Sequence, residues 1–277
     1  MCRWLAYSGT PIQLDELLYK PRYSLIDQSQ HARMGVETTN GDGFGVGWYA
    51  DGTSEPVLFR GVGPAWGDVN LREIAGAVSS PLFLAHIRAS TGTPVQQTNC
   101  HPFRYGSWLW VHNGAIRSFA LLKRDLMLAI DPGLYPSVAG STDSEVMFHL
   151  ALTFGLRDDP VAAVERMVGF VESVGRRHEV PAAVQMTVST TDGDRVWAFR
   201  YSSERRSRTL YFSTAVSALH ELYPENATLR RLSDETRIIV SEPLGELVGA
   251  WQPVPESSYG VVQKGADILG DFHPRLP

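Results

Sequence analysis

Cysteine is scarce in this chain: Cys2 and Cys100 are the two it has. Two cysteines build no disulfide framework, so a reducing, cytoplasmic compartment is expected. Long apolar runs are also missing, and none reaches the roughly 20 residues of a membrane span. The N-terminus lacks the basic-then-apolar order of a secretory signal. A soluble protein without a membrane partner is the expectation. The formal net charge is −5, and the most basic stretch, residues 204–208, lies between strand-like segments and reads as a solvated loop. That argues against nucleic acid, which needs a concentrated positive face. His86, His101 and His112 show no HxH or HxxxH spacing, so no metal is expected. The glycines of residues 41–47 form no GxxxxGK[ST] loop, which speaks against a nucleotide. No cofactor is expected.

The apolar fraction is ordinary, 43% of 277 residues, and ample for a large core. Residues 2–8, 44–49, 57–61, 82–89 and 108–112 read as strands, with a short helical piece at 14–18 and another at 70–79. Residues 22–37 have no clear period and are expected to be irregular. Gly43, Gly45 and Gly47 predict close approach of another backbone or a ligand. Helical spacing takes over in residues 119–130, 143–154 and 161–174, the last carrying Val161, Val164, Val168 and Val171 on one side. Strands return at 185–189, 195–201, 209–213, 237–241 and 259–262. Strands, then helices, then strands do not alternate as a doubly wound sheet would. They fit an α+β fold of antiparallel sheets covered by helices. No linker or repeat divides the chain, so residues 2–270 are expected to form one domain and residues 271–277 a flexible tail.

Cys2 directly follows the initiator methionine. Removal of Met1 would leave a thiol and a free α-amine on one residue. The amine titrates at roughly 7.7–8.0 and the thiol at roughly 8.5, so near neutral pH the amine can take the thiol's proton. The bland alternative is a small buried hydrophobe in a first strand. Three further polar clusters stand at strand ends or helix starts. They are His86 to Gly92, His112-Asn113-Gly114 and Ser141-Thr142-Asp143. Each has an ordinary explanation. Arg88 can pair with any carboxylate, and Asn-Gly is a common hairpin turn. Ser-Thr-Asp before an apolar helix is a fair N-cap. The histidines on apolar strands read as core residues.

In chain order, Cys2, His86/Arg88/Thr91, Asn99/His101/Pro102, His112/Asn113/Gly114 and Thr142/Asp143/Glu145 resemble the class II glutamine amidotransferases, a family of N-terminal-nucleophile hydrolases. The resemblance covers residues 2–150 and implies a four-layer αββα sandwich of two antiparallel sheets. It implies that Cys2 attacks a γ-glutamyl amide, forms a thioester and releases glutamate plus ammonia or an amine. Asn113 and Gly114 would form the oxyanion hole. Arg88 and Asp143 would hold the substrate's α-carboxylate and α-ammonium, with Thr91 as a further substrate contact. Arg33 is a candidate to support the nucleophile. One departure is Ala89, where many members carry tryptophan after the substrate-binding arginine. At 277 residues an ammonia-consuming second domain is not expected. With Met1-Cys2-Arg3-Trp4-Leu5, Asp27-Gln28-Ser29, residues 40–49 and Ser241-Glu242-Pro243-Leu244, it is similar to a stand-alone branch. That branch includes ergothioneine-pathway and glutathione-degrading γ-glutamyl hydrolases. The expected substrate is glutamine or a larger γ-glutamyl compound. The alternative is an ammonia-supplying subunit, weakly active alone, whose partner protein is a separate synthetase.

Overall fold

The apolar alternation of the first strand, β1 (Arg3–Gln13), sorts the molecule into layers. Leu5 and Tyr7 belong to one core and Trp4 and Ala6 to another, as a period of two requires. The computed structural model describes every residue except Met1, residues 35–38, Asp51, Thr91 and Thr228. After β1 come α1 (Asp15–Leu18), α2 (Leu25–Gln30), β2 (Phe44–Trp48), β3 (Val57–Gly61), α3 (Val69–Ala77) and β4 (Ser79–Ile87). Then follow β5 (Phe103–Tyr105), β6 (Trp108–Ile116), α4 (Phe119–Leu128), α5 (Asp143–Thr153) and α6 (Pro160–Arg177). The last part holds β7 (Val184–Thr191), β8 (Val196–Ser202), β9 (Tyr211–Ser213), α7 (Val216–Leu222), β10 (Arg237–Val240), β11 (Trp251–Pro253), β12 (Ser258–Val262) and β13 (Ile268–Asp271).

The strands form two antiparallel sheets. One runs β11-β9-β10-β1-β4-β2-β3 and the other β13-β12-β8-β7-β6-β5. Leu5, Tyr7, Phe83 and Ala85 of the first sheet pack on Leu17, Leu25 and Leu71 of α1, α2 and α3. Trp110, Met186 and Phe199 of the second pack on Leu122, Phe148 and Val168 of α4, α5 and α6. Trp4, Leu82 and Leu84 meet Leu109, Val111 and Ala198 between the sheets. This is the four-layer αββα sandwich expected from the sequence.

The details depart from the expectations in four places. Residues 22–37 are not wholly irregular: α2 forms because Ser24 and Asp27 close a reciprocal capping box. Asn113-Gly114 does not break a strand; both lie inside β6 and pair with Thr187 and Met186 of β7. α7 is an additional short helix. The chain end, expected to fray, is docked. Phe272 is buried against Phe199 and Tyr201, and Arg275 pairs with Glu165 at 3.1 Å.

The expected close approach at the glycines is present. An ideal Cβ on Gly45 would lie 2.2 Å from the His101 carbonyl oxygen, so the 100–102 segment crosses directly over β2. His101 in turn stacks on His86 with ring centroids 4.1 Å apart. His86 is fully buried on the inter-sheet face of β4, and its Nε2–H donates to the His112 carbonyl across the gap at 3.1 Å. That bond fixes the His86 tautomer, because a carbonyl can only accept. Burial drives His86 down to about 3, against the bond to the His112 carbonyl, which raises it; the His112 ring and Arg88 charges lower it further. Burial also holds His101 well below, and His112 below, the ordinary histidine range. All three rings are therefore neutral near pH 7.

Gly45→Ala is expected to destabilise the fold by about 1–3 kcal/mol, because a methyl group meets backbone rather than a yielding side chain; urea unfolding reads this directly. The buried histidines make a second prediction. Each has a folded pKa below its unfolded value near 6.5. Stability is therefore complete above about pH 6.5 and falls as pH drops toward 3, by up to about 1.4 kcal/mol per pH unit per histidine. Stepped-pH urea titrations of folded His86→Gln should show a slope shallower by up to that amount; an unchanged slope contradicts the assignment.

Candidate active site

Strand register brings the first candidates together. Arg3 pairs with Ile87 and Trp4 with His86, so the ladder of β1 and β4 carries Cys2 alongside Arg88 at its end. Trp4 faces the inter-sheet space, and Cys2, two residues earlier, continues that face. The Cys2 Sγ lies 3.5 Å from both the amide nitrogen and the carbonyl oxygen of Ala89. Burial pushes the thiol up, while the Ala89 contact and the Arg88 charge pull it down and the Asp143 charge pushes it up again. Burial, the largest of these effects, favours the protonated thiol.

Arg88 is buried, and its guanidinium is held by the loop around it. Nη1 donates to the Asp42 carbonyl at 3.0 Å, and Nη2 donates to Thr93 Oγ1 at 2.6 Å and Ser90 Oγ at 3.1 Å. Asp42 closes the loop from the other side by accepting from the Ser90 amide at 2.7 Å. Arg88 Nη2 also lies within hydrogen-bond reach of the Thr93 and Pro94 carbonyls, at 3.4 and 3.2 Å. Thr91 lies outside the described residues.

Asn113 and Gly114 come from the opposite sheet. Leu109 and Val111 of β6 face the gap, and Asn113 follows them at the same period. Two cross-sheet contacts set its level. His86 holds the His112 carbonyl, and Thr187 Oγ1 accepts from Trp4 Nε1 at 3.1 Å while donating to the Asn113 carbonyl at 3.4 Å. Gly114 cannot be another residue: a Cβ there would sit 1.9 Å from the Gln185 carbonyl oxygen. The pair that reads as a turn in sequence is thus a tightly laddered strand segment at the sandwich mouth.

Asp143 is the first residue of α5, next to the capping Thr142, whose hydroxyl accepts from the Glu145 amide. Its Oδ2 accepts from the Ile116 amide at 2.7 Å, which ties the helix start to the end of β6. Its Oδ1 accepts from the Ser144 amide at 2.8 Å. Ser144 Oγ in turn lies 2.7 Å from His112 Nδ1. Asp143 therefore serves as both structural tie and charge. Asn99 supports the same corner, accepting from the Ser141 amide at 2.8 Å. No group of histidine, cysteine and acidic residues suited to a metal occurs among the described residues. No described helix is long and apolar enough to cross a membrane.

The structure corrects one candidate and adds two. The Arg33 side chain does not approach Cys2; its guanidinium is largely exposed and lies over the Tyr23 ring at 3.9 Å. Arg3 and Glu242 are the charged pair behind Cys2. Arg3 Nε donates to Glu242 Oε2 at 2.6 Å, both are buried, and Arg3 Nη1 donates to the Cys2 carbonyl at 3.0 Å. The sequence signals were the Cys-Arg-Trp opening and the Ser-Glu-Pro-Leu segment, but nothing local shows that the two meet.

The chain is 34% identical to the probable glutamine amidotransferase DUG3 of Saccharomyces cerevisiae, covering 99% of this chain and 84% of that protein. It is 30% identical to the gamma-glutamyl-hercynylcysteine sulfoxide hydrolase of Mycolicibacterium smegmatis, over 70% of this chain and 80% of that protein. The solved structure of a glutamine aminotransferase class-II domain protein from Silicibacter pomeroyi superposes with a TM-score of 0.75 at 31% identity, covering 99% of this chain and all of that one. The glutamine phosphoribosylpyrophosphate amidotransferase of B. subtilis shares the fold, with a TM-score of 0.62 at 14% identity over 99% of this chain and half of that one. The match to the family of class-II glutamine amidotransferases spans residues 23–271, and the chain belongs to that family.

Proposed function

We propose that this protein hydrolyses a γ-glutamyl amide, with Cys2 as the nucleophile. Family membership makes the chain an amidohydrolase; the nucleophile and the substrate are the finer reading. One observation carries it: Cys2 and Arg88 lie at the end of one sheet, Asn113 lies in β6 of the other, and Asp143 at the start of α5 is tied to the end of β6. Those four groups are of the chemical types that the two polar ends and the reacting carbon of a γ-glutamyl group call for.

In this reading, loss of Met1 exposes the Cys2 α-amine. The amine accepts the thiol proton as sulfur attacks the γ-carbonyl. The Asn113 side-chain amide and the Gly114 N–H stabilise the resulting oxyanion, where charge develops and a fixed dipole has most effect. The same amine then protonates the departing nitrogen, and ammonia or an amine leaves. Water hydrolyses the γ-glutamyl thioester and regenerates the thiol. Arg88 takes the substrate α-carboxylate through its planar fork, and Asp143 takes the α-ammonium. These two charges read only the glutamyl half. The names of the relatives support glutamine or a γ-glutamyl compound as substrate.

The deciding experiment measures glutamate release from glutamine, glutathione and a γ-glutamyl thiol conjugate, with Cys2→Ala as control. Cys2→Ala is expected to abolish release from all three, and retained turnover refutes the nucleophile. Preference for a larger compound identifies a dedicated hydrolase. Feeble turnover of everything identifies an ammonia-supplying subunit that needs a partner. Intact mass should show Met1 removed; a fully active, unprocessed protein would exclude the amine as base. Arg88→Lys should raise KM for glutamine by about tenfold or more, since a point charge does not replace the fork.

A further inference from the structure

Two segments noted in the sequence have no part in the chemistry above: Arg3, directly after Cys2, and Ser241-Glu242-Pro243. They meet behind the nucleophile. The β1–β10 ladder pairs Leu5 with Val240, and the chain just beyond that pair runs antiparallel to Cys2 and Arg3. Ser241 fixes the level by accepting from the Trp4 amide with its hydroxyl at 2.9 Å and donating its own amide to the Trp4 carbonyl at 3.0 Å. Glu242 then projects into the protein with 2% exposure, as does Arg3.

Donors converge on the Glu242 carboxylate from several elements. Arg3 Nε reaches Oε2 at 2.6 Å. Oε1 accepts from the Tyr23 hydroxyl, from the Arg33 amide at 2.9 Å and from the Met34 amide at 3.2 Å. The far side of the Arg3 fork donates to the Cys2 carbonyl at 3.0 Å and to the Met34 carbonyl. A second limb leaves the same corner. Gln28 Nε2 donates to the Pro243 carbonyl at 3.0 Å, and the Asn40 amide donates to the Ser29 carbonyl at 2.7 Å. Two residues on, the Asp42 carbonyl accepts from Arg88.

A buried ion pair is a poor stabiliser, because desolvation offsets most of its attraction and an apolar pair often serves as well. What this pair does supply is direction. Cys2 directly precedes the first strand, so the ladder holds its backbone from the Arg3 side. We infer that Glu242 is a positioning residue: through the Arg3 guanidinium it fixes the Cys2 carbonyl, and with it the direction of the thiol and of the adjoining α-amine. The inference rests on the reading of Cys2 as nucleophile.

The test compares Glu242→Gln, Arg3→Lys and Cys2→Ala with the parent protein. Three quantities are measured: kcat and KM for glutamate release from glutamine, the rate of Cys2 alkylation by iodoacetamide followed by intact mass, and thermal unfolding. Glu242→Gln and Arg3→Lys should lower kcat and the alkylation rate by about tenfold or more, with KM within about twofold, the signature of misdirected chemistry rather than lost binding. Folded variants that keep the parental kcat and alkylation rate overturn the inference, as does a rise in KM alone. Should Glu242→Gln not fold, Arg3→Lys decides, because it keeps a cation against Glu242 and loses the fork that reaches Cys2. A dead Cys2→Ala beside clamp variants of parental activity removes the clamp and leaves the nucleophile; an active Cys2→Ala removes both.

Discussion

A residue at the head of a strand has its backbone constrained by the ladder on one side only, and Cys2 is such a residue. Its position depends on the pairing of β1 in the middle of the seven-stranded sheet, between β10 and β4. One neighbour delivers Arg88 and the Ala89 peptide to the thiol; the other delivers Ser241 and Glu242 to the peptide behind it. If that pairing slipped by one residue, every side chain would exchange faces and Cys2 would point at the helices instead of the gap. The apolar alternation of Trp4, Leu5, Ala6 and Tyr7, buried on both sides, is what forbids the slip.

The second sheet is held to the first by different forces at different depths. Deep in the sandwich the contact is apolar, through Leu84, Leu109, Val111 and Ala198. Toward the mouth it becomes polar and directional, through the Trp4–Thr187 and His86–His112 hydrogen bonds. Directional bonds fix the height of Asn113 relative to Cys2, which apolar contact alone would leave free to slide. The imidazoles accomplish this without charge, because burial keeps them neutral. A neutral ring can donate to a carbonyl without competing electrostatically with Arg88.

The helices contribute mainly at one point. The start of α5 brings Asp143 to the last residues of β6, so a helix terminus and a strand end share one carboxylate. The N-cap reading of Ser141-Thr142-Asp143 and the site reading are therefore not rivals. Thr142 caps the helix, and Asp143 is positioned by that cap. Arg88 follows the same pattern: its hydrogen bonds to Asp42, Ser90, Thr93 and Pro94 hold the guanidinium in place.

The sequence by itself determined the layers and the inventory. Periodicity separated strands from helices, the order of segments excluded a doubly wound sheet, and Cys2, Arg88, Asn113 and Asp143 stood out as chemistry-bearing types at element ends. Gly45 announced a crossing backbone without saying which one; the fold supplied His101. Asn113-Gly114 carried the local signature of a turn, and only the β7 ladder made it a strand, because pairing energy from a neighbouring strand outweighs a dipeptide preference. Arg33 does reach that neighbourhood, but through its backbone amide on Glu242, while its side chain lies over Tyr23. The Arg3–Glu242 pair was beyond reach, since its partners are 239 residues apart and meet only through the register of β1 with β10. Local preferences are written along the chain. Which distant charge stands behind Cys2 is decided by which strands become neighbours, and that is a property of the tertiary structure alone.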